Sequence, residues 1–204
     1  MLKRYLLAPG PTPVPPEALL AMAAPIIHHR TPQFSDLFRR AADRSRDLYG
    51  TREAVLMLAC SGTGAMEAAV TNTLSPGDHV AVVNAGKFGE RWVEICRTFG
   101  LRVTSVDVEW GRAVEPAAVA AVLEANADLR ALLVQASETS TTVLHPIAEL
   151  GKLTRERECL LIVDGITSVG VVDLSMDTVG IDVLVSGSQK GLMLPPGLSL
   201  IALS

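Results

Sequence analysis

The sequence has no apolar run long enough to cross a membrane and no block of basic residues. A transmembrane helix needs about 20 consecutive, mostly apolar residues, and nucleic-acid-binding proteins carry a basic patch or stripe. The formal net charge is −4, which also weighs against an anionic partner. We therefore expect no membrane association and no binding to nucleic acid.

Cysteine is scarce, and its pattern argues against a metal site. Cys60, Cys96 and Cys159 are far apart and odd in number, so we expect reduced, mostly buried thiols in a cytoplasmic protein. No ligand spacing links them to the four histidines, which makes zinc binding unexpected. The N-terminus is basic but lacks the apolar core of a signal peptide.

Apolar residues make up 49% of the 204 residues, enough for one sizeable domain or for a large fragment of a longer protein. Residues 1–16 contain five prolines and predict an extended N-terminal arm, since proline cannot serve in a central strand. We expect this arm to lie across another surface, on its own domain or on a partner subunit. Residues 17–204 are predicted to form the domain itself.

After a short helix at 17–24 and a longer one from Pro32 to about Tyr49, with Thr31 as N-cap, strand and helix patterns alternate. Apolar strand patterns occupy 54–59, 79–83, 102–108, 131–135, 159–163, 181–185 and 198–203, and helical patterns occupy 64–74, 88–99, 116–125 and 146–156. This alternation predicts an α/β domain with a mainly parallel sheet. In such sheets, ligands bind outside the C-terminal ends of the strands.

One lysine, Lys190, follows a predicted buried strand and stands among small and apolar residues. A charged amine is costly to bury, so this lysine would tend to lose its proton and act as a nucleophile. Judged from this stretch alone, a solvent-exposed lysine at the strand end is a better interpretation than a buried nucleophile. The other strand ends decide between the two interpretations.

Four other loops follow predicted strands. Residues 60–64 form a Gly/Ser/Thr-rich turn into a helix, which suits an anion such as phosphate but equally suits a tight turn. Phe88 either packs in the hydrophobic core or stacks on the flat ring of a ligand. Asp164 is either a turn former or an anionic partner for a protonated ring nitrogen. Residues 137–142 carry hydroxyls that either position a ligand or face solvent.

Together these loops supply an amine, a carboxylate, an anion cradle and an aromatic plate at one edge of one sheet. Pyridoxal 5′-phosphate (PLP) needs all four: lysine for its aldehyde, aspartate for its pyridinium nitrogen, a helix N-terminus for its phosphate and a plate for its ring. Lys190 follows Asp164 by about one strand-to-strand step, so both could reach one ligand. We expect PLP as the cofactor and no metal.

The sequence resembles the class V aminotransferases of PLP fold type I, and most closely the alanine/serine–glyoxylate aminotransferases. The resemblance covers essentially the whole chain. The stretches that carry it are Leu7–Pro15, His29–Phe34, Ser61–Gly64, Asn84–Arg91, Val163–Gly165, Ser186–Gly191 and Pro195–Gly197. It implies a three-layer αβα large domain of the aspartate-aminotransferase type, without the small C-terminal domain.

The resemblance also implies the site residues. Lys190 would form a Schiff base with PLP and then move protons, and Asp164 would keep the pyridine nitrogen protonated. The remaining cofactor contacts would come from the phosphate-binding residues Ser61, Gly62, Thr63, Gly64 and Gln189, from Phe88 and Ile166 on the two faces of the ring, and from Thr139 near the 3′-oxygen. Relatives often carry glycine where this chain has Thr142, which implies a different loop backbone there.

By the same resemblance, the protein would be a homodimeric transaminase. It would move an amino group from a small amino acid, such as alanine or serine, to a 2-oxo acid, such as glyoxylate or pyruvate. The family's substrate-carboxylate arginine lies beyond residue 204, so we expect little or no turnover from these residues alone. Two alternatives stay open: a PLP-dependent lyase or cysteine desulfurase, and a truncated, inactive domain that binds cofactor or dimerises.

Overall fold

The computed structural model describes residues 6–204, which form a central β-sheet with helices on both faces. In chain order the elements are α1 (Pro16–Met22), α2 (Pro32–Tyr49), β1 (Val55–Leu58), α3 (Gly62–Thr73), β2 (His79–Asn84), α4 (Lys87–Thr98), β3 (Arg102–Asp107), α5 (Pro116–Ala125), β4 (Leu129–Gln135), β5 (Ser137–Glu138), β6 (Val143–Leu144), α6 (Ile147–Arg155), β7 (Leu160–Asp164), α7 (Met176–Val179), β8 (Val183–Gly187) and β9 (Ser199–Leu203). The predicted α/β fold with a mainly parallel sheet is confirmed.

The main sheet has seven strands in the order β1-β9-β8-β7-β4-β2-β3. The pairs among β8, β7, β4, β2 and β3 are parallel, whereas β9 runs antiparallel to both β8 and β1. All strands except β9 therefore point the same way, and their C-terminal ends meet at one edge. The loops that follow β1, β2, β4, β7 and β8 share that edge.

Alternate residues of the central strands pack into two separate hydrophobic cores, one on each face of the sheet. In β2, Val80 and Val82 face the core formed with α3 and α4, whereas Ala81 and Val83 face the core that includes residues of α5 and α6. Both faces are covered, which explains why the central strands read as continuous apolar runs. The arrangement has three layers, helix–sheet–helix, as the resemblance implied.

Helix α2 begins where the sequence predicts. Thr31 Oγ1 accepts a hydrogen bond from Phe34 N at 3.3 Å, and Gly50 ends the helix in the left-handed conformation with φ 60°. At the end of α2 the buried Tyr49 places its hydroxyl 2.7 Å from Ser186 Oγ in β8. The helix is thus fixed to the sheet mainly by its last turn.

The structure corrects several details of the predicted elements. Residues 137–142 are not entirely loop, because Ser137–Glu138 pairs with Val143–Leu144 in a separate hairpin. The strand predicted at 181–185 lies at Val183–Gly187 and so includes the small polar residues before Lys190. The pattern also missed α7, because a four-residue helix is too short to show a helical period.

The described part of the predicted arm, residues 6–16, lies against its own chain. Thr12 N donates to Gln189 O at 3.1 Å, and Thr12 Oγ1 donates to Lys190 O at 3.0 Å. A Cβ atom placed on Gly10 would lie 2.8 Å from Lys190 Nζ, so this glycine lets the arm cross directly over the lysine. Residues 1–5 of the predicted arm lie outside the described residues.

Candidate active site

Lys190 lies on the turn after β8, at the edge of the sheet where the strand ends meet. It lines a cleft of about 880 Å³ together with arm residues, residues after β4 and residues after β7. The lining residues are Leu7, Pro9, Thr12, Pro13, Ser137, Thr139, Thr142, Thr167, Gly170, Val171, Lys190, Gly191 and Met193. Clefts of a few hundred to about 1,000 Å³ are typical of small-molecule sites.

Asp164 ends β7, the strand that pairs with β8, and its side chain is 5% exposed. Ile166 N donates to Asp164 Oδ1 at 2.8 Å. Burial raises the pKa of Asp164 to about 7, the nearby Glu138 adds to this increase, and Ile166 N, Lys190 and Arg91 oppose it. A carboxyl group with this pKa can hold or release a proton near neutral pH.

The first turn of α3 presents backbone N–H groups that no side chain caps among residues 6–204. Its N-cap, Ser61, has an extended backbone and makes no capping hydrogen bond. Gly62 packs so tightly on Ile166 that a Cβ atom would lie 2.4 Å from Ile166 Cδ1. The turn is therefore held close to the loop after β7, with its positive end open to an anion.

Gln189, on the turn after β8, has a side-chain oxygen without a hydrogen-bond partner among the described residues. Its Oε1 atom is buried without a hydrogen-bond partner within the described part of the chain, and it lies 3.3 Å from the position of a Cβ atom on Gly187. A buried amide oxygen without a donor costs free energy. A ligand that pairs with this amide would remove that cost.

Phe88 and Thr63 are connected through Arg91. Arg91 Nη1 donates to Thr63 Oγ1 at 3.0 Å, and the Arg91 guanidinium lies 5.8 Å from the centre of the Phe88 ring. Phe88 lies in the first turn of α4, and among the described residues it does not line the cleft that contains Lys190.

Thr139 lines the cleft and is fixed by its neighbours. Its hydroxyl donates to Thr167 Oγ1 at 3.1 Å, and Thr167 Oγ1 in turn donates to Ser137 O at 3.2 Å. Three residues further on, Thr142 adopts φ 61°, a conformation that favours glycine. This threonine thus takes the backbone conformation that glycine adopts readily, although the resemblance implied a different backbone.

Short contacts join the predicted residues in two separate groups, and of all of them only Thr139 and Lys190 line the cleft described above. Gly62 touches Ile166, Ile166 bonds to Asp164, and Thr63 connects through Arg91 to Phe88. Gly64 packs on Cys60, the half-buried cysteine of the same turn, whose Sγ lies 3.0 Å from Ser199 Oγ.

Sequence reasoning missed three contributors to this edge: Gly10, Arg91 and Glu138. Gly10 and Arg91 lie in motifs that carried the resemblance, but no role followed from their residue types. Glu138 was grouped with the hydroxyl residues of 137–142, although it is the one charged residue of that stretch. Its position three residues after a buried strand was the signal that could have distinguished it.

The model of the family described as "Aminotransferase class-V" matches residues 4–204. The chain belongs to the class-V aminotransferase family. The seven-stranded, mainly parallel sheet is that of a fold-type-I aminotransferase large domain, as the sequence predicted.

Named relatives place the chain within this family. The soluble hydrogenase 42 kDa subunit of Anabaena cylindrica is 45% identical over 99% of this chain and 54% of its own length. The serine–glyoxylate aminotransferase of Hyphomicrobium methylovorum is 38% identical over 98% of this chain and 51% of its own. The crystal structure of alanine–glyoxylate aminotransferase from Nostoc sp. is 34% identical, with a TM-score of 0.95 over 100% of this chain and 54% of its own. The chain spans about half the length of the curated relatives it matches.

Two further observations concern the described residues. None of their helices is both long enough and apolar enough to span a bilayer. Within residues 6–204, no three His, Cys, Asp or Glu side chains form a group that could hold a metal ion.

Proposed function

We propose that this chain is the cofactor-binding part of a PLP-dependent transaminase, with Lys190 and Asp164 as its catalytic residues. One observation carries the proposal: the buried Asp164 ends β7, and the half-buried Lys190 lies three residues after the paired strand β8, at the same edge of the sheet. In this proposal residues 1–16 are an arm over the site and residues 17–204 are the large domain.

The residues at this edge suit PLP chemically. When bound, PLP supplies an aldehyde that reacts with amines and a protonated ring that withdraws electrons. Lys190 supplies the amine at the cleft, and its Nζ is the atom that accepts and returns a proton. The buried Asp164 supplies its second carboxylate oxygen, Oδ2, which accepts no hydrogen bond from the described residues and so can accept one from a ring N–H⁺. Such a donor favours the ionised carboxylate and lowers the pKa of Asp164 again.

Two helix N-termini at this edge differ in a way that favours α3 as the phosphate site. The first-turn N–H groups of α4 already donate to side chains of its own fold: Lys87 N to Ser140 Oγ, and Phe88 N to Glu138 Oε2. The first turn of α3 has no such side-chain partner among the described residues. Gln189 adds an amide that can turn its NH2 toward an anion, so Ser61 to Gly64 and Gln189 form the proposed cradle.

The proposed ring contacts come from Phe88, Ile166 and Thr139. Ile166 packs beside Asp164 on one side of the edge, and Thr139 presents a hydroxyl in the cleft. Phe88 lies beside Arg91 in the first turn of α4, so stacking on a ring would require its side chain to face the bound cofactor.

The lining of the cleft supports an amino donor with a small, uncharged side chain, such as alanine or serine. Lys190 is the one charged residue among the lining residues that the structure describes, and five of the others carry hydroxyl groups. A second carboxylate on the donor would therefore lack a cationic partner, other than Lys190, among the described residues that line the cleft. The proposed acceptor is a small 2-oxo acid such as glyoxylate or pyruvate.

We also propose that the protein functions as a homodimer. Large apolar side chains of α1 and of the segment after it are exposed, including Leu20 at 73% and Ile26 at 99%. Exposed apolar clusters of this kind are common at protein–protein contacts.

The proposal is tested by adding PLP to the purified protein, recording the absorbance spectrum, reducing with borohydride and mapping the labelled peptide. We expect a visible band and a label on Lys190, and we expect both to be lost in Lys190→Ala. Lys152→Ala, which changes an exposed lysine on α6, should keep both. A label spread equally over the lysines of the wild-type chain would refute the proposed site.

Amino donors are then screened for loss of the visible band, with glyoxylate or pyruvate as acceptor. Loss of the band with alanine or serine, and its return with the 2-oxo acid, would support transamination. Release of sulfide from cysteine without transamination would instead support the lyase alternative.

A further inference from the structure

Glu138 is a fully buried carboxylate, 0% exposed, that connects two loops at the edge of the sheet. Its Oε2 atom accepts hydrogen bonds from Phe88 N at 3.0 Å and Gly89 N at 3.1 Å. Its Oε1 atom accepts from Ser140 N at 3.1 Å and from Ser140 Oγ at 2.5 Å. Four donors thus surround a side chain that would otherwise be very costly to bury.

The carboxylate acts as the N-cap of α4 from a distance. The residue at the N-cap position, Gly86, has no side chain to cap the helix. Glu138 replaces it for Phe88 N and Gly89 N, and Ser140 Oγ accepts from Lys87 N at 3.0 Å. A negative charge at a helix N-terminus is also favoured by the helix dipole.

Two glycines at the start of α4 allow it to approach the sheet and the Glu138 side chain closely. A Cβ atom on Gly86 would lie 2.6 Å from both Cγ and Cδ of Glu138. A Cβ atom on Gly89 would lie 2.7 Å from Gln135 Nε2 and 2.8 Å from Val83 O. Gly86 therefore allows the start of α4 to approach Glu138 in the loop after β4, and Gly89 allows it to approach the ends of β4 and β2.

The turn that Glu138 holds carries Phe88 and leads directly to Arg91. Phe88 is bonded to Glu138 through its own backbone N–H, and Arg91 reaches back over the Phe88 ring and on to Thr63. Glu138 thus fixes the backbone from which the proposed ring contact and a residue beside the proposed phosphate cradle both project.

We propose that Glu138 is a positioning residue that fixes the first turn of α4, and with it Phe88 and Arg91, against the cofactor edge. The part of this role that concerns PLP, the placement of Phe88 and Arg91 for the cofactor, rests on the proposed function. The part that concerns the start of α4 rests only on hydrogen bonds within this chain. The carboxylate performs the role without touching substrate.

The charge of Glu138 also acts on Asp164. It raises the pKa of Asp164 in addition to burial, whereas Lys190 and Arg91 oppose it. His145, which is buried after the β5–β6 hairpin, is the other titratable group that Glu138 influences, and burial lowers the pKa of this histidine. Removing the Glu138 charge should therefore lower the pKa of Asp164.

The test compares Glu138→Gln with Glu90→Gln in protein without added PLP. Glu90 lies on the same helix and pairs with Lys87 at the surface. We expect Glu138→Gln to speed amide hydrogen exchange at Phe88 and Gly89 at least tenfold and to shift the carboxyl ¹³C titration of Asp164 to lower pH. Glu90→Gln should change neither. Unchanged exchange at Phe88 and Gly89 in Glu138→Gln would overturn the proposal.

Ser140→Ala provides a test that keeps the buried charge, in case Glu138→Gln does not fold. Ser140 Oγ accepts from Lys87 N, whereas Phe88 N and Gly89 N are bonded to Glu138. We expect faster exchange at Lys87, by about threefold or more, with Phe88 and Gly89 still protected. Loss of protection at all three amides would show that Glu138 does not hold the turn by itself and would overturn the proposal.

Binding of PLP separates this proposal from the proposed function. If the wild-type chain binds PLP, Glu138→Gln should weaken binding about tenfold and Glu90→Gln should leave it unchanged. Equal PLP affinity in wild type and Glu138→Gln would overturn the role toward the cofactor. If the wild-type chain does not bind PLP, the proposed function fails, and the exchange measurements still decide whether Glu138 positions α4.

Discussion

Asp164 is a carboxyl group whose surroundings oppose its ionised form until a partner arrives. Burial raises its pKa from 3.8 to about 7, and one backbone N–H, from Ile166, is its hydrogen-bond donor among the described residues. The unfolded chain ionises this group at a lower pH than the folded protein does, so the folded protein loses stability as the pH rises between the two pKa values. This loss is the cost of keeping an acceptor oxygen ready for a cationic ring nitrogen.

Asp164→Asn should therefore stabilise the protein in the absence of cofactor, increasingly so at higher pH. Because the folded pKa is raised, the wild-type protein loses stability as pH rises from about 4 to about 7, by an amount on the order of 3–4 kcal/mol. The amide keeps the shape and accepts from Ile166 N without ionising. Urea unfolding at several pH values should show the difference between variant and wild type growing through this range and levelling above it.

Asp47→Asn, which changes an exposed residue near the end of α2, serves as the control and should show no such growth with pH. A constant difference between Asp164→Asn and wild type from pH 4 to pH 8 would contradict the assignment of a raised pKa to Asp164.

At the scale of elements, α2 shows how a local sequence signal sets the start of a helix. Thr31 accepts from Phe34 N and donates to His28 O at 2.8 Å, and Pro32 follows at the first helical position. Each of these hydrogen bonds joins residues three positions apart, so they form whenever the chain adopts this turn. The start of α2 was accordingly predictable from the sequence.

Thr31→Ala should destabilise the protein by about 1 kcal/mol, since it removes the N-cap acceptor. Thr31→Ser keeps the hydroxyl and should retain most of that stability. The comparison is made by urea unfolding at neutral pH. Equal stability of the alanine and serine variants would mean that the Thr31 hydroxyl does not cap α2.

Helix α4 begins by a different route, which the sequence did not reveal. Its N-cap, Gly86, carries no capping side chain, and the cap is Glu138, which is 50 residues away from Phe88 in the chain. The two loops meet because β2 and β4 are neighbours in the sheet. A pattern that reads a few residues at a time cannot show such a partner.

At the scale of the whole molecule, stability depends on the two cores on either side of the sheet. Leu132 in β4 is fully buried between β7 and β2 and packs in the core that includes residues of α5 and α6. Leu56 in β1 lies on the edge strand and is 50% exposed. The two leucines therefore differ in burial although both belong to the same sheet.

Leu132→Ala should lower the free energy of unfolding by about 2–5 kcal/mol through lost burial and the cavity it leaves. Leu56→Ala should cost less than about 1 kcal/mol, since half of its surface already contacts solvent. Thermal or urea unfolding of the two variants measures the difference. Similar losses in both would contradict the two-core description.

The amino-acid sequence by itself determined the class of fold, the family and the positions of most helices and strands. Apolar periodicity, the Thr31–Pro32 helix start and the turn glycines act over a few residues, so they are visible in the chain. Asp164 directly follows the predicted strand 159–163, and Lys190 lies five residues after the predicted strand 181–185. The parallel sheet therefore predicted both residues at one edge, and their roles in a cofactor site stay a prediction.

The tertiary structure alone decided which distant groups meet at that edge. It brought Thr12 to the backbone of Lys190 across 178 positions, Glu138 to the start of α4, and Arg91 to Thr63. It also supplied side-chain hydrogen-bond acceptors for the first-turn N–H groups of α4. The first turn of α3 has no such side-chain cap among the described residues. Strand order and the crossing of the arm create these contacts, and neither follows from the local preferences of any single segment.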